Sequence, residues 1–564
     1  MNDQILSALV NIFPLIIPEM ILGGAAVLLF LGATFRPNRH LWAAVALAAL
    51  VLAGVALGLT PAPAGAHPRA EAGQNVAEGA PATPEAGISE DVVRQYASPL
   101  YYDSLSRLIK WIALAGGVVL VLFSWQEVPD RQAAEYQACL LIIVAGLCLT
   151  GVANELITLF LALELISIPT YILLYLPRHD TAAQEAAMKY FLLSVFSSAL
   201  LLFGFSYLYG MTGTTNLPGI LDALRRAQQE QDPAFRDVPG HLGSIALVAL
   251  IMVTAGFCFK ITAVPFHHYA PDVYQGAPTP AVALLAFMPK VAGFVALFRV
   301  LGFVFAGNPG DGLFLSGKVP ILFWILAAVT MSLGNVLALL QSNVKRLLAY
   351  SSVAHAGYML MGVAVAYQYN VPATEAPRVG GGIEAILFYL VAYGAMTIGA
   401  FGVLSYLSTP ERPVEMEDDL AGLSRSHPGT ALLMALFLFS LIGIPLTAGF
   451  AGKVFLFLGA MGVQDRHALL FRWLALIGVI NSAIGGWYYL RIIAKMYLQT
   501  PVKPLETVRA WPSLATLWIC ALVTLVLGIR PGLLLEPARR AAVPRTAPAA
   551  QAWRASQAPG AKVN

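Results

Sequence analysis

Stretches of twenty or more mostly apolar residues recur along the whole chain, and they limit what it can fold into more than any other feature. A bilayer core of about 30 Å takes roughly 20 apolar residues per helical crossing. Runs near residues 5–33, 41–60, 105–124, 136–153, 155–177, 186–210, 243–265, 279–306, 319–340, 346–366, 383–407, 430–460, 471–498 and 511–530 reach or approach that length, about fourteen in all. Of the 564 residues, 58% are hydrophobic and 12% charged, and the mean hydropathy is +0.71. Soluble domains carry about 25% charged residues, and a single soluble core cannot absorb this much apolar side chain. The expected fold class is an all-α polytopic membrane protein. Its solvent is lipid.

The remaining composition excludes more than it assigns. A formal charge of +3 is too small to imply nucleic acid as a partner. Cys139, Cys148, Cys258 and Cys520 sit inside apolar runs without metal-ligand or redox spacing and read as small buried hydrophobes. No glycine-rich phosphate loop follows a strand, and neither an iron–sulfur nor a haem motif is present, so no cofactor or metal is expected in this chain. Asn2-Asp3-Gln4 leads straight into apolar sequence with no basic region or cleavage site, which reads as a retained first span. Residues 61–104, rich in Ala, Pro, Gly and Glu, read as a flexible loop, and 537–564 as a flexible tail. Leu221–His241 is a shorter polar insertion. With about fourteen spans, Arg36, Arg39, Lys345, Arg346, Lys495, Lys503 and Arg509 share one side, which the positive-inside rule makes cytoplasmic. Both termini then lie outside.

An ionisable group deep in a bilayer costs from about 2.5 to well over 10 kcal/mol, so the charges inside apolar runs carry information. Glu164 is the only charge in Leu156–Leu176, Lys260 in Leu242–Val264 and Lys453 in Thr430–Ala460, while Lys290 is expected about one turn inside its span beside Pro289. One such group reads as a helix-end lysine or a structural pair. Four together read as an ion or proton relay. The run around Lys453 is too long for one crossing, about 46 Å as a straight helix, and Gly443-Ile444-Pro445, Gly449 and Gly452 interrupt it. Pro265 follows Lys260 in the same way, so broken helices are expected near 260–269 and 443–453. Unwound backbone at membrane depth belongs where it is buried in protein or lines a wet cavity, and two such breaks point to an inverted-repeat transporter. Glu185 and Lys189 are spaced for a helical ion pair, open to two readings: a surface pair or an entry relay. His355, and less so His267 beside His268, could carry protons.

Four segments carry a family resemblance. Residues 155–167 (ELITLFLALELIS), 260–274 (KITAVPFHHYAPDVY), 345–358 (KRLLAYSSVAHAGY) and 443–453 (GIPLTAGFAGK) resemble the antiporter-like membrane subunits of respiratory complex I. The resemblance implies two inverted-topology five-helix repeats, each with a broken helix. Residues 1–60 would then hold N-terminal helices, 105–303 the first half-channel, 319–498 the second, and 510–530 the last helix. By the same resemblance Glu164 and Lys260 form the charge pair of the first half-channel, Lys290 connects, and Lys453 ends the second. Tyr269 stands where the family has tryptophan, and Leu446 where a second proline is common. Implied partners are other membrane subunits, among them antiporter-like subunit M and small membrane subunits, and the peripheral arm. NADH, FMN, iron–sulfur clusters and quinone are expected in that whole complex, in a bacterial inner membrane. The alternative function is a subunit of a multisubunit cation/proton antiporter.

Overall fold

The computed structural model describes residues 13–35, 37–61, 98–178, 180–229, 239–305, 318–369, 381–409, 413–464, 467–500 and 511–542. Most of the 61–104 loop, the tail beyond Ala542, Arg36, Lys503 and Arg509 lie outside them. The architecture is all-α. Helices α1 (Ile17–Ala33), α2 (Arg39–Leu59), α3 (Ser104–Ser124), α4 (Ala133–Val152), α5 (Leu156–Tyr175) and α6 (Thr181–Thr212) come first. The amphipathic α7 (Leu217–Gln229), then α8 (Pro239–Ile261), the short α9 (Ala270–Gly276) and α10 (Thr279–Phe305) follow. After them come α11 (Lys318–Leu339), α12 (Val344–Val365), α13 (Ile383–Leu407), and the half-helices α14 (Pro428–Ile442) and α15 (Ala448–Met461). The chain closes with α16 (Ala468–Leu498), α17 (Trp511–Ile529) and α18 (Gly532–Ala542). Among the described residues twelve helices are long and apolar enough to cross a membrane, and Ile245–Ile261, Pro428–Ile442 and Ala448–Met461 are shorter apolar helices.

Two expectations need correcting. Residues 537–542 belong to helix α18 rather than to a flexible tail, because Leu535, Ala538 and Ala541 bury one apolar face. Lys290 is not near a helix end: α10 begins at Thr279, which puts eleven residues, about 16 Å at 1.5 Å each, before the lysine. Pro289 does not end the helix, since the spans packed around α10 bury it almost completely.

Burial divides the bundle. α10, α12 and α13 are almost wholly enclosed, whereas α1, α2 and α16 present Leu28, Leu31, Val51, Leu52, Val479 and Ile480 outward. Outward apolar side chains are what a lipid or subunit-facing surface requires. Helix starts follow local chemistry. Asn38, Asp103, Asp180 and Asn343 each cap the free amides of the helix that follows.

The same backbone feature occurs in each half of the molecule. The residues just before α5 pair with those after α6 (Leu156 N to Thr215 O 2.9 Å, Leu217 N to Asn154 O 2.9 Å). Those just before α12 pair with those after α13 (Val344 N to Glu415 O 2.7 Å, Glu417 N to Ser342 O 3.1 Å). A broken helix then follows in both halves: α8 to α9 across 262–269, and α14 to α15 across 443–447.

Candidate functional site

Both breaks hold backbone that a continuous helix could not. Thr262 has φ 63° and Leu446 φ 70°, left-handed values that cost an ordinary residue about 1–2 kcal/mol. At the first break the freed groups find partners: Ala263 N donates to Cys258 O at 2.7 Å and Val264 N to Thr330 Oγ1 of α11 at 3.2 Å. Tyr269 donates its hydroxyl to Phe259 O at 3.1 Å. At the second break Gly443 turns at φ 93° and both it and Ile444 donate to Phe439 O at 3.0 Å. A proline at 446 could not take the φ of Leu446, because its ring fixes φ near −65°.

Each half places one buried lysine against its break. Lys260 is in the last turn of α8, 3.7 Å from Glu164 Oε1 of α5, and donates to Ser167 Oγ. Ser198 of α6 donates to the same Glu164 oxygen at 2.5 Å. The Lys260 side chain is 3% exposed, that of Glu164 23%, so the carboxylate is the outer member of the pair. Around Glu164, Leu161, Leu165 and Ile168 of α5 point outward. Lys453 lies in α15 and donates to Leu441 O, Ile442 O and Ser482 Oγ, each at 2.9 Å. Those carbonyls lie in the last turn of α14, beyond the reach of its own amides and where the helix dipole is negative, and Ile442 O also accepts from Ser482 Oγ at 3.3 Å. All three N–H bonds of an ammonium are thereby used.

Lys290 and His355 fill the space between the breaks. Lys290 Nζ donates to Ser352 O at 2.7 Å and Ser352 Oγ at 2.6 Å, and lies 4.7 Å from the centre of the Tyr393 ring. His355, buried one turn along α12, has Nδ1 at 2.6 Å from Tyr389 Oη and Nε2 at 3.3 Å from Tyr489 Oη, which in turn meets Ser351 Oγ. The Tyr358 ring stands 5.7 Å from His355 and 5.0 Å from Lys453 Nζ. An unbroken run of polar and aromatic contacts thus joins Lys290, Tyr393, His355, Tyr358 and Lys453. Between Lys260 and Lys290 the link is packing: a Cβ on Gly293, less than one turn past Lys290, would lie 3.2 Å from Lys260 Cβ.

The other sequence candidates sit apart. Glu185 and Lys189 pair at 2.6 Å on a solvent-accessible rim, with Lys189 about 13 Å and Glu185 about 20 Å along α6 from Ser198. His267 lies in the unwound segment, and no hydrogen bond among the described residues joins it to Lys260 or Lys290. The described basic residues expected on one side each have an acidic partner: Arg39 with Asp130, Lys345 with Glu415, Arg346 with Asp272, Lys495 with Asp418.

Sequence reasoning missed several groups. The serines and tyrosines that hold each lysine carry no charge and look like ordinary core residues. Asp272, Lys110 and Arg299 could have been found by asking for every charge in or beside a span. Lys110, wholly buried in α3, pairs with Glu19 of α1 at 2.7 Å. Arg299 of α10 grips both oxygens of Asp103, at 2.6 and 2.7 Å.

Enclosed lysines at two broken helices mark a polytopic membrane protein built around buried charge. Residues 153–485 match the family described as NADH:quinone oxidoreductase/Mrp antiporter, TM, and the chain belongs to that family. Within it, the chain is similar to NADH-quinone oxidoreductase subunit N 1 of Solibacter usitatus, 38% identical over 451 residues that cover 79% of this chain and 85% of that one. NADH-quinone oxidoreductase subunit N of Trichlorobacter lovleyi is 39% identical over 456 residues, 80% of this chain and 85% of its own. Among solved structures, a chain of respiratory complex I from Thermus thermophilus with bound Aureothin superposes with TM-score 0.67 at 28% identity, covering 92% of this chain and 99% of that one. A chain of the Mrp complex from Dietzia sp. superposes with TM-score 0.72 at 17% identity over 95% of this chain and 98% of its own, a likeness of fold alone.

Proposed function

We propose that this chain is the subunit N type of proton-translocating membrane subunit of NADH–quinone oxidoreductase. It couples electron transfer in other chains to proton movement through a buried Glu/Lys relay. The observation that carries the reading is the Glu164–Lys260 pair at the first break, followed by the enclosed run from Lys290 through His355 to Lys453. Redox cofactors (NADH, FMN, iron–sulfur clusters, quinone) belong to the rest of the complex, and this chain is assigned none.

The Glu164 carboxylate favours the ammonium form of Lys260, whereas enclosure in apolar protein favours the neutral amine. Drawing Glu164 outward, toward a neighbouring membrane subunit, removes the charge that holds the proton. Lys260 then passes it toward Lys290, and beyond Lys290 the groups that can hold a proton in turn are His355 and Lys453. At Lys453 the α14 carbonyls stabilise the arriving charge. Glu185 and Lys189 serve as the entry from water, and His267 lines the first break. The matched backbone pairings and breaks support two five-helix repeats. Five is odd, so the second repeat enters the bilayer from the opposite face. The bacterial inner membrane is the location, with both termini on the non-cytoplasmic side. Likeness to an Mrp chain bears on the fold alone, and the relatives at 38–39% identity favour the quinone oxidoreductase over the antiporter reading.

The test is proton uptake by vesicles carrying the whole complex with Lys260→Ala or Glu164→Ala. Loss of pumping and of redox-coupled turnover, in complex that still assembles, is expected. Normal pumping in either variant overturns the reading.

A further inference from the structure

Asp272 stands on α9, the seven-residue helix after the first break, and each of its two oxygens meets a cation from a different half of the molecule. Oδ2 accepts from Lys189 of α6 at 2.5 Å, and Oδ1 accepts from Arg346 of α12 at 2.7 Å. Arg346 also donates to Gln275 of α9 at 3.0 Å. Seven residues are too few to hold a helix alone, since isolated helices shorter than about 12 residues are marginal even with favourable sequence. What fixes α9 is therefore its surroundings. Gly276 lies so close to α6 that a Cβ would come within 2.5 Å of Ala182 O, and Tyr274 Oη is 3.4 Å from Ser352 Oγ of α12.

The two helices that Asp272 ties down are the ones that hold the relay. α6 carries Ser198, bonded to Glu164, and α12 carries Ser352 and His355, bonded to Lys290 and to the tyrosines. We propose that Asp272 is the positioning residue that couples the two halves. Held between Lys189 and Arg346, it keeps α9 and the break beside Lys260 in register with the α12 face that receives the proton. The inference rests on the relay reading above and adds the element that makes the two halves act together. A carboxylate is required because one side chain must accept from two cations at once. Asparagine has one acceptor oxygen and would turn an N–H₂ group toward the second cation. The side chains of Lys189, Asp272 and Arg346 are 28–39% accessible, and both cations keep other partners in Glu185, Gln275 and Gln341. The neutral variant is therefore expected to fold.

The experiment uses vesicles carrying the whole complex with Asp272→Asn, Asp272→Glu or Lys260→Ala, and reads assembled complex, NADH oxidation and proton uptake per assembled complex. The expected result is proton uptake per complex in Asp272→Asn that falls to that of Lys260→Ala, at undiminished assembly, and is restored by Asp272→Glu. Wild-type uptake per complex in Asp272→Asn overturns the proposal if Lys260→Ala has lost pumping. A smaller amount of complex with unchanged uptake per assembled complex also overturns it, because the role is then only structural. Normal pumping in Lys260→Ala instead defeats the underlying relay reading.

Discussion

The Glu19–Lys110 pair allows the energetics of buried charge in this molecule to be measured apart from the relay. Lys110 has no exposed side-chain surface, and its amine meets Glu19 at 2.7 Å and donates to Leu15 O, tying α1 to α3. Glu19→Leu leaves the ammonium with one carbonyl partner in an apolar bundle. Removing one member of a buried pair costs about 3–5 kcal/mol. Lys110→Met alone strands the carboxylate and should cost about 3–5 kcal/mol as well. The double variant Glu19→Leu/Lys110→Met removes both charges and keeps the volume apolar, and a fully replaced pair is neutral or stabilising by about 1–4 kcal/mol. Unfolding of the purified complex, followed by the accessibility of a cysteine placed in α1, reads all three variants. The expected pattern is two destabilised single variants and a double variant at or above wild type. A double variant that loses as much as the sum of the singles would refute this account of the pair.

His355→Phe keeps the ring packing against Tyr358 and Tyr393 but removes both hydrogen bonds, to Tyr389 and Tyr489. It is expected to lower the protons moved per NADH to the level of Lys453→Ala while the complex assembles, as read in vesicles. Gly449→Val should fail earlier, since any Cβ at 449 would fall 1.8 Å from Ser440 O and push α15 off α14. Little assembled complex is expected in membranes from that variant, and wild-type amounts would contradict the close approach.

The candidate site was only half legible in the sequence. A charge in an apolar run is conspicuous because lipid penalises it, and so Glu164, Lys260, Lys290 and Lys453 stood out. Their ligands did not. Ser167, Ser198, Ser352 and Ser482 are as common in spans as any small residue, and Tyr389 and Tyr489 look like bulk. Asp272 was passed over because a charge just after a break reads as a loop residue, and its partners lie 83 and 74 positions away. Lys110 was passed over because its span reads as apolar despite it. The depth of Lys290 was misjudged: it was expected about one turn inside its span, whereas eleven helical residues from Thr279 precede it.

What the sequence determined alone was the solvent, the helical class and the two breaks. Each follows from local chemistry: runs of apolar side chains, and Gly or Pro where a helix cannot continue. Which oxygen faces which amine was decided only by the tertiary structure. A lysine's partner comes from another helix, and helix packing sets that meeting through side chains scattered across the chain. Glu164 with Lys260, Lys453 with the carbonyls of α14, and Asp272 between two cations are all products of that packing.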